Sequence, residues 1–354
     1  MKNNKYTIAH NESIRDAIKK IDVNKLNTLI VLDEKKKVIG IFTEGDFRRA
    51  VLRGLDMQNK ISLIINNQFK YLMDGFSKIE AKKLFKNNDL ILDIPILNKK
   101  FQLIKIISRS DFFFTKPIKK NINIRNCPVV IMAGGKGTRL DPFTRVLPKP
   151  LIPYGNDPII KVIMDSFKSF GSSKFYISIN EKSSMIKSYF YDHKIAYNIK
   201  YIEEKKPLGT AGSLKLLEKK IKNTFFVINS DVLIHSYYPS IIEFHKNNSN
   251  DLTLISSMRN YKIPYGVCTF DKSGKLKKIL EKPSYDHFVN TGLYVVEPRI
   301  LKLIPVNVKF DMTKLINKVK ENNMKVGVFP ISEHSWSDVG EWTEYKKSIN
   351  KLKI

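Results

Sequence analysis

Residues 128–140 read PVVIMAGGKGTRL, an apolar run followed at once by a loop that holds three glycines. A continuous apolar run of this length is typical of a strand buried in a parallel sheet. Glycines let a backbone come close to a phosphate group and point its N–H groups at it. This stretch therefore predicts an anion-binding loop at the end of a buried strand.

Shorter apolar runs follow, with helical patterns between several of them, at residues 174–179, 225–229, 252–256 and 292–296. Strands that alternate with helices predict an α/β fold with a mostly parallel sheet. Residues 119–127 (KKNINIRNC) have the composition of a short polar linker. We therefore divide the chain into residues 1–118, a linker at 119–127, and the α/β domain at 128–354.

The loop departs from two common phosphate-binding motifs. The P-loop pattern G-x-x-x-x-G-K-[ST] is not met, and the dinucleotide pattern G-x-G-x-x-G fails because Leu140 stands where the last glycine is needed. Two cations accompany the loop instead. Arg139 offers a planar fork that matches phosphate oxygens, and Lys149 lies between two prolines that stiffen its segment.

With the segments that follow, this block resembles the sugar-1-phosphate nucleotidyltransferases, which join a sugar phosphate to a nucleoside triphosphate and release pyrophosphate. Further landmarks of that family occur in order: LGTAG at 208–212, NSD at 229–231, PYGV at 264–267, EKP at 281–283, NTG at 290–292 and WSDVG at 336–340. The NSD segment departs from the usual N-G-D by its serine. No hexapeptide repeat follows the last landmark, so no appended acetyltransferase is expected.

The resemblance implies a Rossmann-like domain built on a mixed, mostly parallel sheet, and it implies roles for particular residues. The catalytic set is Arg139, Lys149, Asp231 and Asp338, with Mg²⁺ shared by the two aspartates. Nucleotide binding falls to Ala133, Gly134, Gly135, Lys136, Gly137, Thr138, Glu204, Leu208, Gly209, Thr210 and Gly212. The sugar phosphate falls to Gly266, Glu281, Lys282 and Asn290. Because the attacking phosphate is already an anion, catalysis needs positioning and charge neutralisation rather than a general base.

The base and the sugar are less determined by the sequence. Glu203 and Glu204 precede the second glycine loop, where the family places a base-reading side chain, and a carboxylate suits the two adjacent donors of guanine. We therefore expect GTP, with CTP next, and leave open that both glutamates face solvent. The overall architecture most resembles the glucosamine-1-phosphate guanylyltransferases of the GDP-linked legionaminic acid route. Mannose-1-phosphate guanylyltransferases and glucose-1-phosphate cytidylyl-, thymidylyl- or uridylyltransferases remain alternatives.

Residues 1–118 contain an internal repeat at an offset of 65 residues. LIVLD at 29–33 corresponds to IPILN at 94–98, and GIFTEGDF at 40–47 corresponds to KIISRSDF at 105–112. Ile14, Ala17, Ile18 and Ile21 have helical spacing, so the first repeat reads helix, strand, turn, strand, helix. This pattern resembles a tandem pair of CBS domains (a Bateman module), at about 1–57 and 58–118.

In the CBS family a Ser/Thr-x-x-Asp motif binds adenine nucleotides, and the resemblance carries this role to Thr43 with Asp46 and to Ser108 with Asp111. A carboxylate can accept both hydroxyls of a ribose. The same spacing is also that of a helix N-cap, and both roles can coexist. A regulatory adenine nucleotide is thus one expected partner of the chain.

Composition excludes several classes of protein. Hydrophobic residues make up 42% and charged residues 27%, which is typical of a globular chain. Two cysteines cannot form a disulfide framework, and no apolar run approaches a membrane span. The net charge of +28 comes from 62 basic and 34 acidic residues spread along the chain, and a nucleic-acid partner is not expected.

We predict a cytoplasmic enzyme that self-associates. A CBS sensor with a degenerate catalytic domain is the competing hypothesis.

Overall fold

The computed structural model describes residues 4–24, 26–88, 91–113, 124–135, 137–180, 183–192 and 197–350. Over these ranges every helix is too short or too polar to cross a lipid bilayer. Residues 114–118, at the end of the predicted N-terminal region, lie outside the described residues, as does most of the predicted linker at 119–127.

The first unit (residues 7–52) consists of β1 (Thr7–Ala9), α1 (Ile14–Asn24), β2 (Thr28–Leu32), β3 (Val38–Thr43) and α2 (Glu44–Leu52). The four apolar residues that predicted α1 are all buried in it. β1 runs parallel to β2, and β2 pairs antiparallel with β3. The predicted helix, strand, turn, strand and helix are therefore present in that order.

The second unit (residues 72–108) consists of β4 (Leu72–Met73), α3 (Lys78–Asn87), β5 (Asp93–Leu97) and β6 (Leu103–Ser108). Its sheet repeats the pairing of the first unit, with β4 parallel to β5 and β5 antiparallel to β6. Where the first unit has α2, the residues described after β6 begin with a short 3-10 turn, Arg109–Asp111. A small apolar cluster of Ile30, Val38 and Leu97 joins the two sheets.

The rest of the chain forms the α/β domain. Its elements are β7 (Val129–Met132), α4 (Phe143–Val146), β8 (Pro153–Tyr154), β9 (Asp157–Pro158), α5 (Ile159–Lys168), β10 (Lys174–Ile179), α6 (Ser183–Asp192), β11 (Asn198–Glu203), α7 (Gly209–Gly212), β12 (Phe225–Asn229), β13 (Val232–Ile234), α8 (Tyr238–Asn247), β14 (Leu252–Lys262), β15 (Val267–Phe270), β16 (Leu276–Leu280), β17 (Ser284–Val296), α9 (Met312–Glu321), β18 (Val326–Ile331), β19 (Trp336–Asp338) and α10 (Trp342–Asn350).

Seven of these strands form the central sheet, in the order β11-β10-β7-β12-β17-β14-β18. Every neighbouring pair is parallel except the two that involve β17. The predicted α/β class with a mixed, mostly parallel sheet is confirmed. Helices cover both faces of the sheet and bury the alternate residues of its central strands in two apolar clusters.

The first unit packs directly on the α/β domain. Met258 of β14 is 6% exposed and belongs to the apolar cluster of the first unit. Arg15 of α1 forms an ion pair with Asp286 of β17 and donates a 2.9 Å hydrogen bond to the hydroxyl of Ser284. The guanidinium of Arg48 lies 4.0 Å from the ring centre of Phe329 on the edge strand β18. Apolar burial and charged contacts therefore hold these two parts together.

Candidate active site

The glycine loop begins where β7 ends, at the carboxyl edge of the sheet. Asn180, just after the neighbouring strand β10, donates a hydrogen bond to the carbonyl of Gly134. A β-carbon on Gly134 would lie 2.7 Å from a carboxylate oxygen of Glu204, so this position has no room for a side chain. A β-carbon on Gly135 would meet nothing within 4 Å. The loop is thus packed on one side and open on the other, as an approaching phosphate requires.

The second half of the loop turns back against the segment of Lys149. Gly137 has a φ of 72°, and a β-carbon there would lie 2.8 Å from Thr144 and 3.0 Å from Lys149. The hydroxyl of Thr144 donates to the Gly137 carbonyl at 3.0 Å. Lys136, one of the predicted nucleotide-binding residues, lies outside the described residues.

Two cations reach the same carboxylate from this loop region. The ammonium of Lys149 forms an ion pair with Asp231, and both side chains are largely buried. The guanidinium of Arg139 lies 4.0 Å from Asp231 and donates a 2.9 Å hydrogen bond to Glu341. Because its side chain is 58% exposed, Arg139 lies at the mouth of the site and Lys149 deeper inside.

Asp231 and Asp338 come together through a short antiparallel ribbon. β13 pairs with β19, with Val232 opposite Asp338. The N–H of Val339 donates to the carbonyl of Asp231 at 2.9 Å, and the N–H of Gly340 donates to the carboxylate of Asp338 at 2.8 Å. A β-carbon on Gly340 would lie 2.0 Å from an oxygen of Asp231 and 2.9 Å from an oxygen of Asp338. The distance between these two carboxylate oxygens is therefore at most about 4.9 Å, the sum of the two distances.

The electrostatics of this pair favour a cation. Burial, and then the negative charge of Asp231, raise the pKa of the Asp338 carboxyl above its usual value. Two carboxylates with further positions left to water or phosphate oxygens match the preference of Mg²⁺. Within the described ranges no group of three or more His, Cys, Asp or Glu side chains offers a metal a complete protein cage. The residues present thus fit a magnesium ion that is completed by substrate.

Glu204 and Glu203 differ sharply in their surroundings. Glu204 accepts a hydrogen bond from the hydroxyl of Ser178 and a 3.0 Å bond from the N–H of Leu208. Glu203 is exposed and paired with Lys187, which lowers the pKa of the Glu203 carboxyl. Only Glu204 is held against the glycine loop, so it is the better candidate for reading a base.

The second glycine loop is anchored from behind by residues 308–312. A β-carbon on Gly209 would lie 2.9 Å from the carbonyl of Phe310, and one on Gly212 would lie 3.0 Å from the carbonyl of Val308. The hydroxyl of Thr210 accepts a 2.9 Å hydrogen bond from the N–H of Met312. Leu208 and Gly212 are buried, so the structure gives them packing roles, whereas Thr210 is exposed.

The predicted sugar-phosphate residues fall in two places. Gly266, Glu281 and Lys282 are adjacent near the β15–β16 hairpin, since a β-carbon on Gly266 would lie 3.1 Å from the Glu281 carboxylate. The ammonium of Lys282 lies 3.9 Å from that carboxylate, and both side chains are mostly exposed. Asn290 lies on β17 and donates a 2.7 Å hydrogen bond to the hydroxyl of Tyr294. The hydrogen bonds of Asn290 among the described residues go to Tyr294 and Gly292 and to none of the other three.

The two Ser/Thr-x-x-Asp motifs of the N-terminal region form helix caps. The buried carboxylate of Asp46 accepts 2.9 Å and 2.7 Å hydrogen bonds from the N–H and hydroxyl of Thr43 and forms an ion pair with Arg49. Asp111 accepts from the N–H of Ser108 at 2.8 Å, while the Ser108 hydroxyl donates to Asp93 at 2.6 Å. The capping interpretation is confirmed, and nucleotide binding by these residues stays a prediction.

Sequence reasoning missed three features of the site. Asn180 follows a buried strand at the same sheet edge as Asp231, and that placement could have revealed it. Glu341 adjoins the last landmark and holds Arg139. The third feature is the turn before β19, where Ser332 and Ser335 contact the first unit. Nothing local in the sequence indicates this contact.

Comparisons with known proteins agree with this geometry. Residues 128–353 match the family model described as nucleotidyl transferase, and residues 1–53 match the CBS domain model. A probable mannose-1-phosphate guanylyltransferase 1 of Oryza sativa subsp. japonica is 30% identical over 61% of this chain and 62% of its own length. A mannose-1-phosphate guanyltransferase of Yarrowia lipolytica is 34% identical over 49% of this chain and 50% of its own length. The chain thus spans between half and two thirds of these relatives.

Solved structures resemble the α/β domain. HddC from Yersinia pseudotuberculosis, also solved in complex with GMP-PN, is 26% identical with a TM-score of 0.51 and covers 64% of this chain and 99% of its own. A putative glucose-1-phosphate thymidylyltransferase from Bacillus anthracis has the same TM-score at 20% identity, over 64% of this chain and 95% of its own, which shows a shared fold.

Proposed function

Because the chain belongs to the nucleotidyl transferase family, we propose that it transfers the GMP group of GTP to a hexose 1-phosphate and releases pyrophosphate. The observation that carries this proposal is the convergence of Arg139, Lys149, Asp231 and Asp338 beside the glycine loop, which Lys149 contacts at Gly137. The main obstacle to this reaction is the mutual repulsion of two phosphate anions. A site that combines cations, the N–H groups of a glycine loop and a pair of carboxylates for Mg²⁺ reduces this repulsion.

Each part of the site has a task in this reaction. The N–H groups around Gly135 and the guanidinium of Arg139 hold the triphosphate. The ammonium of Lys149, deeper in the site, balances the charge that develops at the α-phosphorus. Lys282 holds the phosphate of the sugar, and Glu281 accepts hydrogen bonds from sugar hydroxyls. Asp231 and Asp338 would hold Mg²⁺, which would supply charge neutralisation to the phosphate oxygens.

The choice of GTP rests on Glu204. Its carboxylate is held beside the glycine loop by Ser178 and Leu208, which use only part of its accepting capacity. Guanine presents N1–H and N2–H₂ side by side, so a fixed carboxylate accepts from both. The names of the guanylyltransferase relatives and the GMP-PN complex of HddC support the same base.

Two sugars are candidates. Glucosamine 1-phosphate is favoured by the combination of CBS units with a short catalytic domain, which resembles the enzymes of the legionaminic acid route. Mannose 1-phosphate is favoured by the names of the curated relatives. We retain both, because the exposed pair Glu281 and Lys282 does not by itself indicate which substituent stands at C2 of the sugar.

The N-terminal units would regulate this activity through an adenine nucleotide at Thr43 with Asp46 or at Ser108 with Asp111. The capping boxes do not prevent these residues from binding a nucleotide. Asp111 is exposed, and the partners of Asp46 come from its own helix turn. Addition of AMP, ADP or ATP to the full chain should alter its rate, and no effect and no binding would exclude this role.

The experiment that tests the function is a screen of the four common nucleoside triphosphates and dTTP against glucosamine, mannose and glucose 1-phosphates, followed by pyrophosphate release with Mg²⁺. We expect GTP with one hexosamine or hexose phosphate to exceed every other pair by at least about a hundredfold in kcat/KM. Absence of pyrophosphate release with all pairs would contradict the proposal and favour a CBS sensor.

A further inference from the structure

The first unit contacts the catalytic domain at one turn in particular. This turn, residues 332–335, connects the edge strand β18 to β19, the strand that carries Asp338. The hydroxyl of Ser335 donates to the carboxylate of Glu44, the first residue of α2, at 3.0 Å. The N–H of Ser332 points to the same oxygen at 3.4 Å, so one oxygen of the first unit accepts from both ends of the turn.

A second carboxylate of the first unit completes this contact. The hydroxyl of Ser332 donates to Asp22 of α1 at 2.9 Å and lies 3.0 Å from the hydroxyl of Ser335. Ser332 is 1% exposed and Ser335 is 9% exposed, so water does not easily replace these acceptors. We call Asp22, Glu44, Ser332 and Ser335 the seat.

The seat is linked to the catalytic carboxylates by a short, hydrogen-bonded path. The carbonyl of Ser335 accepts a 2.8 Å hydrogen bond from the N–H of His235, which places the first residue of β19 beside β13. The ribbon then runs in register until Asp338 lies opposite Val232, next to Asp231. Only two residues separate Ser335 from Asp338, so a shift of the turn is carried to the carboxylate.

We propose that Glu44 is a positioning residue for Asp338, so that the first unit fixes the geometry of the carboxylate pair. This inference rests on the proposed transferase activity for its kinetic consequences, but the geometric claim concerns the metal-free chain as well. With Glu44 removed, the buried Ser335 hydroxyl and the Ser332 N–H lose their acceptor, and the turn rearranges to find others. Asp338 then loses its fixed distance from Asp231.

Glu44 lies in the first turn of α2, so a change in the conformation of that turn also affects the seat. Thr43 caps α2 immediately before Glu44, and Asp46 closes the capping box two residues after it. The cap and the seat therefore share one turn of backbone. The flanking Arg48 lies over Phe329 and donates to the Pro330 carbonyl at 3.4 Å, which holds this face of α2 on the same strand.

The test compares Glu44→Ala and Glu44→Gln in the full chain. For Glu44→Ala we expect kcat to fall between about tenfold and a hundredfold and the Mg²⁺ concentration for half-maximal rate to rise, with little change in the KM for the sugar phosphate. Glu44→Gln should recover most of the rate, because its amide oxygen can still accept from both donors. Ser335→Ala removes the same hydrogen bond from the other side and should act in the same direction.

Amide hydrogen exchange in residues 335–340 of the metal-free protein provides a readout that is independent of activity. We expect faster exchange there in Glu44→Ala than in the wild type or Glu44→Gln. The matched control is Glu80→Ala, which removes a first-turn glutamate that closes the capping box of α3 in the second unit and whose described hydrogen bonds are with Ser77. This control should leave both kcat and exchange in residues 335–340 unchanged.

Three results would overturn the proposal. They are a kcat for Glu44→Ala within about twofold of the wild type, an equal loss in Glu80→Ala, or unchanged exchange in residues 335–340. If the wild type releases no pyrophosphate with any substrate pair, the proposed function fails, and the exchange measurement alone then decides the role of Glu44. If Glu44→Ala does not fold, Ser335→Ala takes its place in both measurements.

Discussion

Gly340 lies directly against Asp231, so that a β-carbon at residue 340 would stand 2.0 Å from the aspartate oxygen. The same β-carbon would stand 2.9 Å from Asp338. The absence of a side chain at residue 340 therefore allows the carboxylates of Asp231 and Asp338 to approach each other.

Gly340→Ala should reduce turnover by at least about a hundredfold, because the added methyl group must displace Asp231, Asp338 or both. The measurement is kcat with saturating GTP and sugar phosphate. Gly45→Ala serves as a control, since a β-carbon there would make an ordinary 3.5 Å contact with Thr43. Activity of Gly340→Ala near that of the control would contradict the described arrangement.

Asp231→Asn and Asp338→Asn should each abolish turnover while the chain stays folded. An amide keeps the shape of the carboxylate but removes the charge that a magnesium ion needs. Turnover over a range of Mg²⁺ concentrations, with circular dichroism as a check on folding, measures this. Asp271→Asn, in the exposed turn of the β15–β16 hairpin, is the matched control and should remain active. Near-normal turnover of either aspartate variant would show that the metal assignment is wrong.

Gly135→Ala and Gly134→Ala should differ in a way that separates binding from folding. At residue 135 a β-carbon meets nothing, so stability should stay within about 0.5 kcal/mol of the wild type while the KM for GTP rises at least tenfold. At residue 134 it would collide with Glu204, so the melting temperature should fall as well. Thermal melts beside GTP kinetics test both, and an unchanged KM in Gly135→Ala would remove that glycine from the nucleotide site.

Glu204→Gln should lower kcat/KM for GTP by about tenfold to a hundredfold and should reduce the preference for GTP over UTP. An amide offers one acceptor and one donor, which is less suited to guanine and better suited to uracil. The neighbouring variant Glu203→Gln is the control, because Glu203 is exposed and pairs only with Lys187 among its described contacts. Equal effects of the two substitutions would show that Glu204 does not read the base.

The free energy of unfolding should depend on pH through Asp22, a carboxylate of the seat. Burial above all, and also the negative charge of Glu44, raise the pKa of the Asp22 carboxyl to about 7, although the hydrogen bond from Ser332 opposes this. Glu333 and the backbone of His334 also face Asp22 from the turn. Because the folded state holds its proton more tightly than the unfolded state, this group's contribution to stability is lost as pH rises through about 7.

Asp22→Asn should remove that part of the pH dependence. Between about pH 5.5 and about pH 8, the wild type should lose about 1–2 kcal/mol of unfolding free energy more than the variant, as estimated from 1.4 kcal/mol per pKa unit. Because the His334 imidazole lies 3.7 Å from the Asp22 carboxylate, both proteins are compared in a His334→Gln background. Parallel stability curves for the two proteins across this range would contradict the assignment.

Continuous apolar runs predicted the central strands well. Residues 174–179 and 225–229 are β10 and β12 with the predicted bounds, since strands buried on both faces need apolar residues at every position. β14 and β17 extend far beyond the predicted 252–256 and 292–296. Their outer parts are half polar and exposed, so they have no hydrophobic pattern that distinguishes a strand from a loop.

The candidate residues could be found by motif, but their arrangement could not. The β13–β19 ribbon joins three residues to three others more than a hundred positions away in the sequence. Neither segment is long enough to show the hydrophobic periodicity of a strand. The seat depends on serines and acidic residues that look like ordinary turn and surface residues in sequence. Such long-range polar contacts follow from the packing of two units, which a local pattern does not record.

The burial of Met258 within the interior of the first unit bears on how the polypeptide can be divided for laboratory work. A truncated fragment that ends in the linker would lack this methionine, leaving a hole among its buried aliphatic side chains, while the complementary fragment would display the thioether to solvent. We therefore expect each fragment to be less stable when it is expressed alone than as part of the full chain. A fusion of the N-terminal units to another enzyme would need an apolar side chain in the place of Met258.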